Sequence, residues 1–552
     1  MPNKTKALIA TLLVSVLAIP AAFAAQNNPP PHRLFRVTLN GASSKIVSGR
    51  LLLFATPVAV AKKHAKNGKV TSIDISPFRP TEVAVAAMPV ASLAPGDSVY
   101  IDADALAFPK GFSKLKPGRY DVQALLDVNH NYNYSGRGAG DLVSAVHEIT
   151  FGTGTAIPTL DLTRKLTEEA KPWTISKRVQ PKARRDALVK AAKAAQAHSN
   201  KLDFVSPALS AFWGRPIHMR GWVMTPPDYA QHADRHYPTV YFTHGFGGNM
   251  VFLTYWASNI WHLTASGAIP PMIWVFLDES SPTGTHEFAD SVNNGPWGTA
   301  LTTELIPYLE AHYRMDAKPS GRFLTGHSSG GWATLWLQVR YPKIFGGTWS
   351  ISPDPSDFHD FTGPNIYAPN ANVYYKPNGK PWPLVRAHGK VLATFKQFAQ
   401  LERVLGPYGG QMASFDWVFS PRGPDGRPEQ MFNRDTGAVN PKVADYWRKH
   451  YDIAYRLKTH WQQLKPDLNG KIHLVVGTAD TFYLDGAAHK LDAVLKGLHA
   501  KAQIVFLPGK THSSVFKIDG DPNGLMKRVA WAMYHVARPD AAIPEDMRKI
   551  AP

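Results

Sequence analysis

The strongest constraint on the fold is a regular alternation that begins near residue 239 and continues toward the end of the chain. Short apolar segments of strand length alternate with segments in which apolar residues recur every three or four positions, as at Leu301, Leu305 and Leu309. Such alternation is typical of an α/β domain, in which a mainly parallel sheet lies between layers of helices. The predicted strands are residues 239–243, 272–277, 323–325, 348–351, 472–476 and 504–507.

The amino-terminal part of the sequence follows a different pattern. Between residues 34 and 162, short runs alternate apolar and polar residues, and turn sequences such as Lys116-Pro-Gly118 separate them. A period of two with frequent turns predicts an all-β domain, and a length of about a hundred residues suits an immunoglobulin-like sandwich. We therefore assign residues 25–162 to this domain.

Residues 163–205 join the two parts. They are rich in Lys, Arg, Ala and Gln, which predicts a basic linker that is helical over residues 185–197. The α/β domain then covers residues 206–552. Within it, residues 356–470 form a longer connection than two strands of a bare sheet need, which predicts an insertion or long loops over the site.

The first 24 residues predict export from the cytoplasm. Lys4 and Lys6 precede an apolar run over residues 7–19, and Ala22-Phe-Ala24 supplies small residues for a cleavage site. This is the pattern of a signal peptide, so we expect the mature protein to be secreted or periplasmic. The run is shorter than the roughly 20 residues of a membrane span, which disfavours a permanent anchor.

Composition excludes several classes of site. The sequence has no cysteine, so disulfides, thiolate nucleophiles and cysteine-ligated zinc are excluded. The net charge of +19 comes from basic residues spread along the chain, and no nucleic-acid-binding motif accompanies them. We expect no nucleic-acid partner, while association with an anionic envelope or polysaccharide stays open, as does the oligomeric state.

One loop has the beginning of a calcium-binding pattern. Asp127, Asn129 and Asn131 alternate as the first ligands of such a loop do. The sixth position, which should be glycine, is Tyr132, and the twelfth, which should be glutamate, is Gly138. A tight loop closed by Asp and Asn side chains is the alternative interpretation.

The motif with the most chemical content is Gly326-His-Ser-Ser-Gly330. It follows the predicted strand 323–325 directly and precedes a helical stretch that begins near Trp332. A G-x-S-x-G sequence between a strand and a helix forms a sharp turn that lifts the serine hydroxyl above the sheet. Ser328 is therefore the candidate nucleophile.

A second glycine-rich turn, His244-Gly-Phe-Gly-Gly248, follows the predicted strand 239–243. Backbone N–H groups in such a turn can stabilise the negative oxygen that forms when a serine attacks a carbonyl. We predict that the amide of Phe246 is one donor of this oxyanion hole, with Gly247 as the alternative. The amide of Ser329, next to the nucleophile, is the other predicted donor.

A nucleophilic serine needs a base, and the base needs a carboxylate that orients it. His512 lies in a loop after the last predicted strand, and Asp480 follows the strand before it. The order Ser328, Asp480, His512 is that of α/β-hydrolases. Asp485 and Asp354 are alternatives for the carboxylate, because the first lies in the same loop as Asp480 and the second follows another strand.

These motifs, together with Asn293-Asn-Gly-Pro-Trp297, resemble the putative esterase group, which includes esterase D, enterochelin esterases, feruloyl and acetyl-xylan esterases and mycolyltransferases. The resemblance covers residues 206–552. It implies an α/β-hydrolase domain in which Ser328, Asp480 and His512 form a catalytic triad. The implied activity is hydrolysis of a carboxylic ester without a metal or organic cofactor. The expected substrate is a small-molecule or glycan-linked ester of sugar, phenolic or siderophore type.

Three other functions are compatible with the same residues or fold. A serine peptidase would use the same triad on an amide, and an acyltransferase would pass the acyl group to an acceptor other than water. A non-catalytic glycan-binding protein would keep the fold without the chemistry. Cleavage of p-nitrophenyl esters without cleavage of peptides separates the first from an esterase, and product analysis with added acceptors separates the second.

Overall fold

The computed structural model describes residues 32–65, 67–152, 156–167, 171–177 and 179–550. The predicted signal peptide, residues 1–24, lies outside these residues. Within the described part of the chain, no helix has both the length and the apolar character that crossing a membrane requires.

The amino-terminal domain consists of nine strands that belong to one hydrogen-bonded sheet. The strands are β1 (Leu34–Leu39), β2 (Val47–Pro57), β3 (Ala84–Leu93), β4 (Ser98–Asp102), β5 (Ala107–Phe108), β6 (Gly118–Asp127), β7 (Leu142–Ser144), β8 (His147–Phe151) and β9 (Thr159–Lys165). Their order is β4-β1-β9-β7-β6-β2-β3-β5, with β8 paired to β6. Neighbouring strands are antiparallel except β1 and β9, which are parallel.

This arrangement does not confirm an immunoglobulin-like sandwich. In that fold the strands divide between two packed sheets, whereas hydrogen bonds connect all nine strands here. A period of two in the sequence predicts strands and their buried faces, but it does not say which strands pair. The pairing depends on contacts between distant parts of the chain.

Strand β2 is buried on both faces, which explains its long apolar run. Leu51 and Leu53 face a core that the sheet of the amino-terminal domain encloses. Leu52 and Phe54 face the opposite side and pack against a helix of the α/β domain. The residues of that helix in this contact are Leu401, Val404 and Leu405.

The α/β domain is built on an eight-stranded sheet. Its strands, in chain order, are β10 (Ser199–Val205), β11 (His218–Met224), β12 (Thr239–Thr243), β13 (Ile273–Leu277), β14 (Arg322–His327), β15 (Gly347–Ile351), β16 (Ile472–Gly477) and β17 (Ala502–Leu507). Their spatial order is β10-β11-β13-β12-β14-β15-β16-β17. The pairs β10·β11 and β11·β13 are antiparallel and the others are parallel. The predicted mainly parallel α/β sheet is confirmed.

The sheet begins earlier than the predicted boundary at residue 206. Strand β10 lies at the edge of the sheet, inside the segment interpreted as a linker. Of its seven residues only Leu202 is buried, so the strand lacks the apolar run that marked the six predicted strands. A search for apolar runs does not detect an edge strand whose residues are mostly polar and exposed.

Successive residues of a strand point to opposite faces of the sheet. Because the central strands are apolar at successive positions, both faces are apolar and helices cover both. In β12, Phe242 belongs to one apolar cluster with Leu253, and Tyr241 belongs to another with Leu337. The longer helices are α1 (Lys182–Ala197), α2 (Met250–Ala265), α3 (Ser329–Arg340), α4 (Phe395–Leu405), α5 (Gln411–Phe419), α6 (Pro441–His450), α7 (Ile453–Leu468), α8 (Asp485–Gly497) and α9 (Gly524–Ala537). Shorter ones include Val58–Ala61, Tyr132–Ser135, Pro207–Trp213, Trp297–Ala300 and Ile306–His312.

The long connection between β15 and β16 has two parts. Helix α7 packs on α3 through Leu457 and Leu335, so it is a layer helix of the α/β fold rather than part of a cap. The residues before it contain a two-stranded ribbon, Pro383–Ala387 with Lys390–Thr394, and helices α4 to α6. Helices α4 and α5 line the cavity over Ser328.

Candidate active site

Ser328 lies at the sharp turn between β14 and α3. Its backbone angles are φ 62° and ψ −126°, a combination that residues with a side chain rarely adopt. Three backbone hydrogen bonds hold it there, and one of them runs from the N–H of Asp354 to the carbonyl of Ser328 at 3.3 Å. The N–H of Ser328 donates to the carbonyl of Ile351 at 3.0 Å, and its carbonyl accepts from the N–H of Trp332 at 3.0 Å. Strand β15 and the first turn of α3 therefore stabilise the strained residue.

The glycine-rich turn after β12 touches this residue closely. A methyl group added at Gly245 would lie 2.8 Å from the Cβ of Ser328 and 2.9 Å from the carbonyl oxygen of His327. Neither atom belongs to a flexible side-chain end, so only glycine fits at this position. The two predicted motifs therefore meet at the same point of the sheet edge.

Asp480 and His512 form a buried hydrogen-bonded pair. The Nδ1 atom of His512 lies 2.8 Å from Oδ2 of Asp480. The other carboxylate oxygen of Asp480 accepts the N–H of Phe482 at 2.8 Å. Burial raises the pKa of Asp480, but the charge and hydrogen bond of His512 outweigh it, so the pKa is lowered. The carboxylate stays ionised and fixes the imidazole with Nε2 available.

Ser328 and His512 line one cavity of about 730 Å³. Within the described residues their side chains form no direct hydrogen bond, and such contacts often tighten only when a substrate binds. The cavity wall is mainly apolar. It includes Phe246, Phe398, Leu401, Met412, Phe415 and Phe482.

The two alternative carboxylates have other partners. Asp485 pairs with Arg386 at 2.8 Å. Asp354 accepts the hydroxyl of Ser329 at 2.6 Å. The carboxylate of Asp480 is the one in hydrogen-bonding contact with His512.

The predicted oxyanion donors lie on either side of Ser328. Ser329 begins helix α3, and Phe246 is in the turn after β12. In the described part of the chain, no hydrogen bond to a backbone carbonyl or a side chain is made by the backbone N–H groups of Phe246 and Ser329. These amides are therefore free to bind a ligand oxygen.

His244 supports the glycine-rich turn from behind, a role that the sequence did not predict. Its Nδ1–H donates to the carbonyl of Gly245 at 2.8 Å, and Nε2 lies 2.9 Å from Oδ1 of Asp278. Burial lowers the pKa of His244, but the hydrogen bond and charge of Asp278 outweigh burial and the pKa is raised. The sequence does contain a signal for this partner, because the acidic residue Asp278 directly follows the buried strand β13.

His327 supports the loop of His512. Its Nε2–H donates to the carbonyl of His512 at 2.8 Å, and the two rings lie 4.3 Å apart. Burial lowers the pKa of His327 to about 3, and the nearby His512 adds to the effect. His327 is therefore neutral and acts as a hydrogen-bond donor to the backbone.

Comparison with known proteins identifies the family of the chain. The sequence model of the family described as Putative esterase matches residues 213–532, more than half of the chain. The chain belongs to the putative esterase family. Two relatives from Mycobacterium tuberculosis, Esterase MT1326 and Esterase Rv1288, are each 33% identical over 148 residues. That match covers 26% of this chain and spans only 31% of the length of each relative.

Solved structures with a similar fold were also found. A ferulic acid esterase is 15% identical, with a TM-score of 0.37, and covers 62% of this chain and 97% of its own. The S-formylglutathione hydrolase FrmB from Staphylococcus aureus is 13% identical, with a TM-score of 0.37, and covers 61% of this chain and 99% of its own.

The Asp127 loop is closed by its own hydrogen bonds. The carboxylate of Asp127 accepts the N–H groups of Asn131 and Tyr132 at 3.1 and 3.0 Å. The side-chain amide of Asn129 donates to the carbonyl of Ala139 at 3.0 Å. Side chains of Asp127 and Asn129 therefore close the loop, as the tight-loop interpretation predicts.

Among the described residues, one group has the spacing of metal ligands: Asp357, His359 and Asp452, whose ligand atoms all lie within 4.8 Å of one another. Asp452 begins helix α7 and already accepts three hydrogen bonds, including those from Phe358 N at 3.0 Å and the hydroxyl of Tyr367 at 2.7 Å. Its oxygens are thus satisfied by the protein, and its role is to cap the helix.

A buried carboxyl group behind the candidate active site contributes to the pH dependence of the protein's stability. Glu279 is fully buried, and neither of its carboxyl oxygens has a hydrogen-bond partner among the described residues. Burial raises its pKa to about 8, with His244 opposing the rise and Asp354 adding to it. The group is therefore protonated in the folded protein at neutral pH.

We expect the contribution of Glu279 to the free energy of unfolding to fall as the pH rises from about 5 to 8. Between the ordinary pKa of 4.5 and about 8, the folded protein holds a proton on Glu279 that the unfolded chain releases. Each pKa unit corresponds to about 1.4 kcal/mol, so the loss should be on the order of a few kcal/mol. Urea unfolding at pH 5 and at pH 8 measures the free energy of unfolding under each condition. Glu279→Gln should lose this contribution, so its stability relative to the wild type should rise with pH, whereas Glu429→Gln, at an exposed position, should follow the wild type. A difference between the wild type and Glu279→Gln that stays constant from pH 5 to 8 contradicts the assignment.

Proposed function

We propose that the protein is a serine carboxylic-ester hydrolase that acts through a covalent acyl-enzyme on an extracytoplasmic ester. The observation that carries this proposal is the convergence of three features on one cavity. Ser328 lies on a strained strand-to-helix turn, the Asp480–His512 pair opens onto the same cavity, and two unbonded backbone amides flank the serine.

The proposed reaction has two steps that mirror each other. The hydroxyl oxygen of Ser328 attacks the ester carbonyl while Nε2 of His512 takes its proton, and the amides of Phe246 and Ser329 donate to the developing oxyanion. The C–O bond to the alcohol breaks as His512 returns the proton to the leaving oxygen. A water molecule then attacks the acyl-enzyme in the same way and releases the acid and free Ser328. Asp480 stabilises the imidazolium in both steps.

The cavity and the sequence support a substrate with a bulky apolar part. A volume of about 730 Å³ with a largely aromatic wall exceeds what a formyl or acetyl group fills. Esters of sugar, phenolic or siderophore type remain the proposed substrates. The signal-peptide pattern in residues 1–24 supports a location outside the cytoplasm, and the charge of +19 supports association with an anionic envelope or polysaccharide.

Labelling with a fluorophosphonate probe tests the proposal directly. The probe reacts with a serine hydroxyl only when a base and an oxyanion hole activate it. We expect stoichiometric labelling of the folded protein and loss of labelling after heat denaturation. A folded wild-type protein that stays unlabelled at millimolar probe would mean that Ser328 is not activated, and the non-catalytic glycan-binding alternative would then be favoured.

A further inference from the structure

The amino-terminal domain reaches into the catalytic cavity. Two of its segments, residues 74–78 and 132–137, line the same cavity as Ser328 and His512. We propose that this domain completes the active site, with Tyr134 as the positioning residue for the oxyanion-binding turn. The inference rests on the proposed function, since it assigns a role to a residue outside the domain that carries the triad.

Tyr134 contacts the oxyanion-binding turn, residues 245–248, in two ways. Its hydroxyl donates to the carbonyl of Gly248 at 2.7 Å. Its ring meets the ring of Phe246 edge to face, with centroids 5.0 Å apart and planes at 74°. Gly247, between these two contacts, has a φ of +80°, so the turn has an unusual backbone shape that outside contacts can hold in place. The amide of Phe246 is thus oriented by a side chain from the other domain.

The segment that presents Tyr134 is itself firmly held. The N–H of Tyr132 donates to Asp127 at 3.0 Å, and the hydroxyl of Tyr132 donates to Asp74 at 3.0 Å. Arg137 donates to the same carboxylate of Asp74 at 2.7 Å. These bonds connect both lining segments of the amino-terminal domain to each other, so Tyr134 extends from a rigid support.

The same domain also reaches the opposite side of the cavity. Phe78 packs on Phe482 with ring centroids 6.0 Å apart, and Phe482 meets the ring of His512 edge-on at 5.0 Å. On the helical side, the side-chain amide of Asn133 donates to the carbonyls of Glu402 and Gly406 at 3.1 and 3.0 Å. The amino-terminal domain therefore contacts the oxyanion-binding turn, a neighbour of the base and the end of helix α4.

The hydroxyl of Tyr134 is a donor over the whole working pH range. Burial raises the pKa of Tyr134 well above its ordinary value of 10, and the nearby charges of Glu279 and Asp278 raise it further. The group keeps its proton wherever the protein is folded and active, so the hydrogen bond to Gly248 does not switch with pH.

An oxyanion hole depends strongly on the position of its donors. A donor must lie about 2.7–3.1 Å from the developing oxyanion, and loss of one donor typically costs about 100-fold or more in kcat. Loss of a contact that only orients such a donor should lower kcat by a smaller factor. We therefore expect Tyr134→Phe to lower kcat about tenfold with little change in KM, because the oxyanion exists only in the transition state.

The test compares Tyr134→Phe with Tyr120→Phe in the full chain. Tyr120 lies in the same domain, and its hydroxyl donates to the carbonyl of Lys116 at 3.0 Å, so the control loses the same kind of bond away from the site. The rate of labelling by a fluorophosphonate probe is measured for each variant, with kcat and KM for p-nitrophenyl acetate and the melting temperature. Slower labelling and lower kcat in Tyr134→Phe alone, at an unchanged KM, support the inference.

Equal labelling rates for the two variants overturn the inference and leave the proposed function intact. An unlabelled wild-type protein removes the proposed function and this inference with it, so the two failures are distinguishable. If Tyr134→Phe does not fold, Phe246→Leu loses the ring contact from the other side and leaves the amino-terminal domain unchanged. A labelling rate for Phe246→Leu equal to that of the wild type then overturns the inference.

Discussion

Replacing Ser328 by alanine should lower kcat for any ester substrate by about 10⁴-fold or more, because the acyl-enzyme can no longer form. The substitution removes one oxygen atom at a residue whose backbone is held by Ile351 and Trp332, and those bonds do not involve the hydroxyl. The folded state should therefore persist. Steady-state hydrolysis of p-nitrophenyl butyrate, with the melting temperature alongside, measures both effects.

The matched control is Ser266→Ala, at the carboxyl end of helix α2 and away from the cavity. It should hydrolyse the ester at the wild-type rate. If Ser328→Ala keeps more than a few per cent of the wild-type kcat while folded, another residue is the nucleophile and the triad as assigned is wrong.

The second large effect is expected for Asp480→Asn, with a loss of about 10⁴-fold in kcat. An asparagine of the same shape can present an N–H toward His512 Nδ1, which favours the tautomer that places the ring proton on Nε2. In that tautomer His512 cannot accept the proton of Ser328. The amide also lacks the negative charge that stabilises the imidazolium, so both parts of the role of Asp480 are lost.

Asp485→Asn is the control, because Asp485 lies in the same loop but pairs with Arg386 at 2.8 Å. Its kcat should stay within a few-fold of the wild-type value. A large loss in Asp485→Asn together with a small one in Asp480→Asn would exchange the roles of the two carboxylates. The measurement is kcat at a pH where the wild-type enzyme is fully active.

Features with a local cause could be predicted from the sequence. The six predicted strands of the α/β domain are short apolar runs that end in turns, and all six are strands in the structure. The Gly326–Gly330 motif predicted a sharp turn, and Ser328 has the positive φ that such a turn requires. The chain order placed Asp480 and His512 at neighbouring strand ends, where a hydrogen bond now connects them.

Features that depend on distant contacts could not be predicted in this way. The hydrogen bond from Tyr134 to Gly248 joins residues 114 positions apart, and no pattern near either residue indicates the other. The strand order of the amino-terminal sheet, including the parallel pair β1·β9, also arises from such contacts. His244 and His327 lie inside the recognised motifs, but their partners Asp278 and the carbonyl of His512 lie elsewhere in the chain.

Helix α4 has a consequence for how the molecule loses its structure. Leu401 and Val404 share one apolar cluster with Leu52 and Phe54 of strand β2, and the buried guanidinium of Arg50 donates to the carbonyl of Val404 at 2.9 Å. Separating the two halves would expose this apolar surface and break the hydrogen bond of Arg50, which is costly. The two domains therefore differ in sequence pattern, but we do not expect them to unfold independently. Heat or denaturant should melt both halves in one cooperative transition.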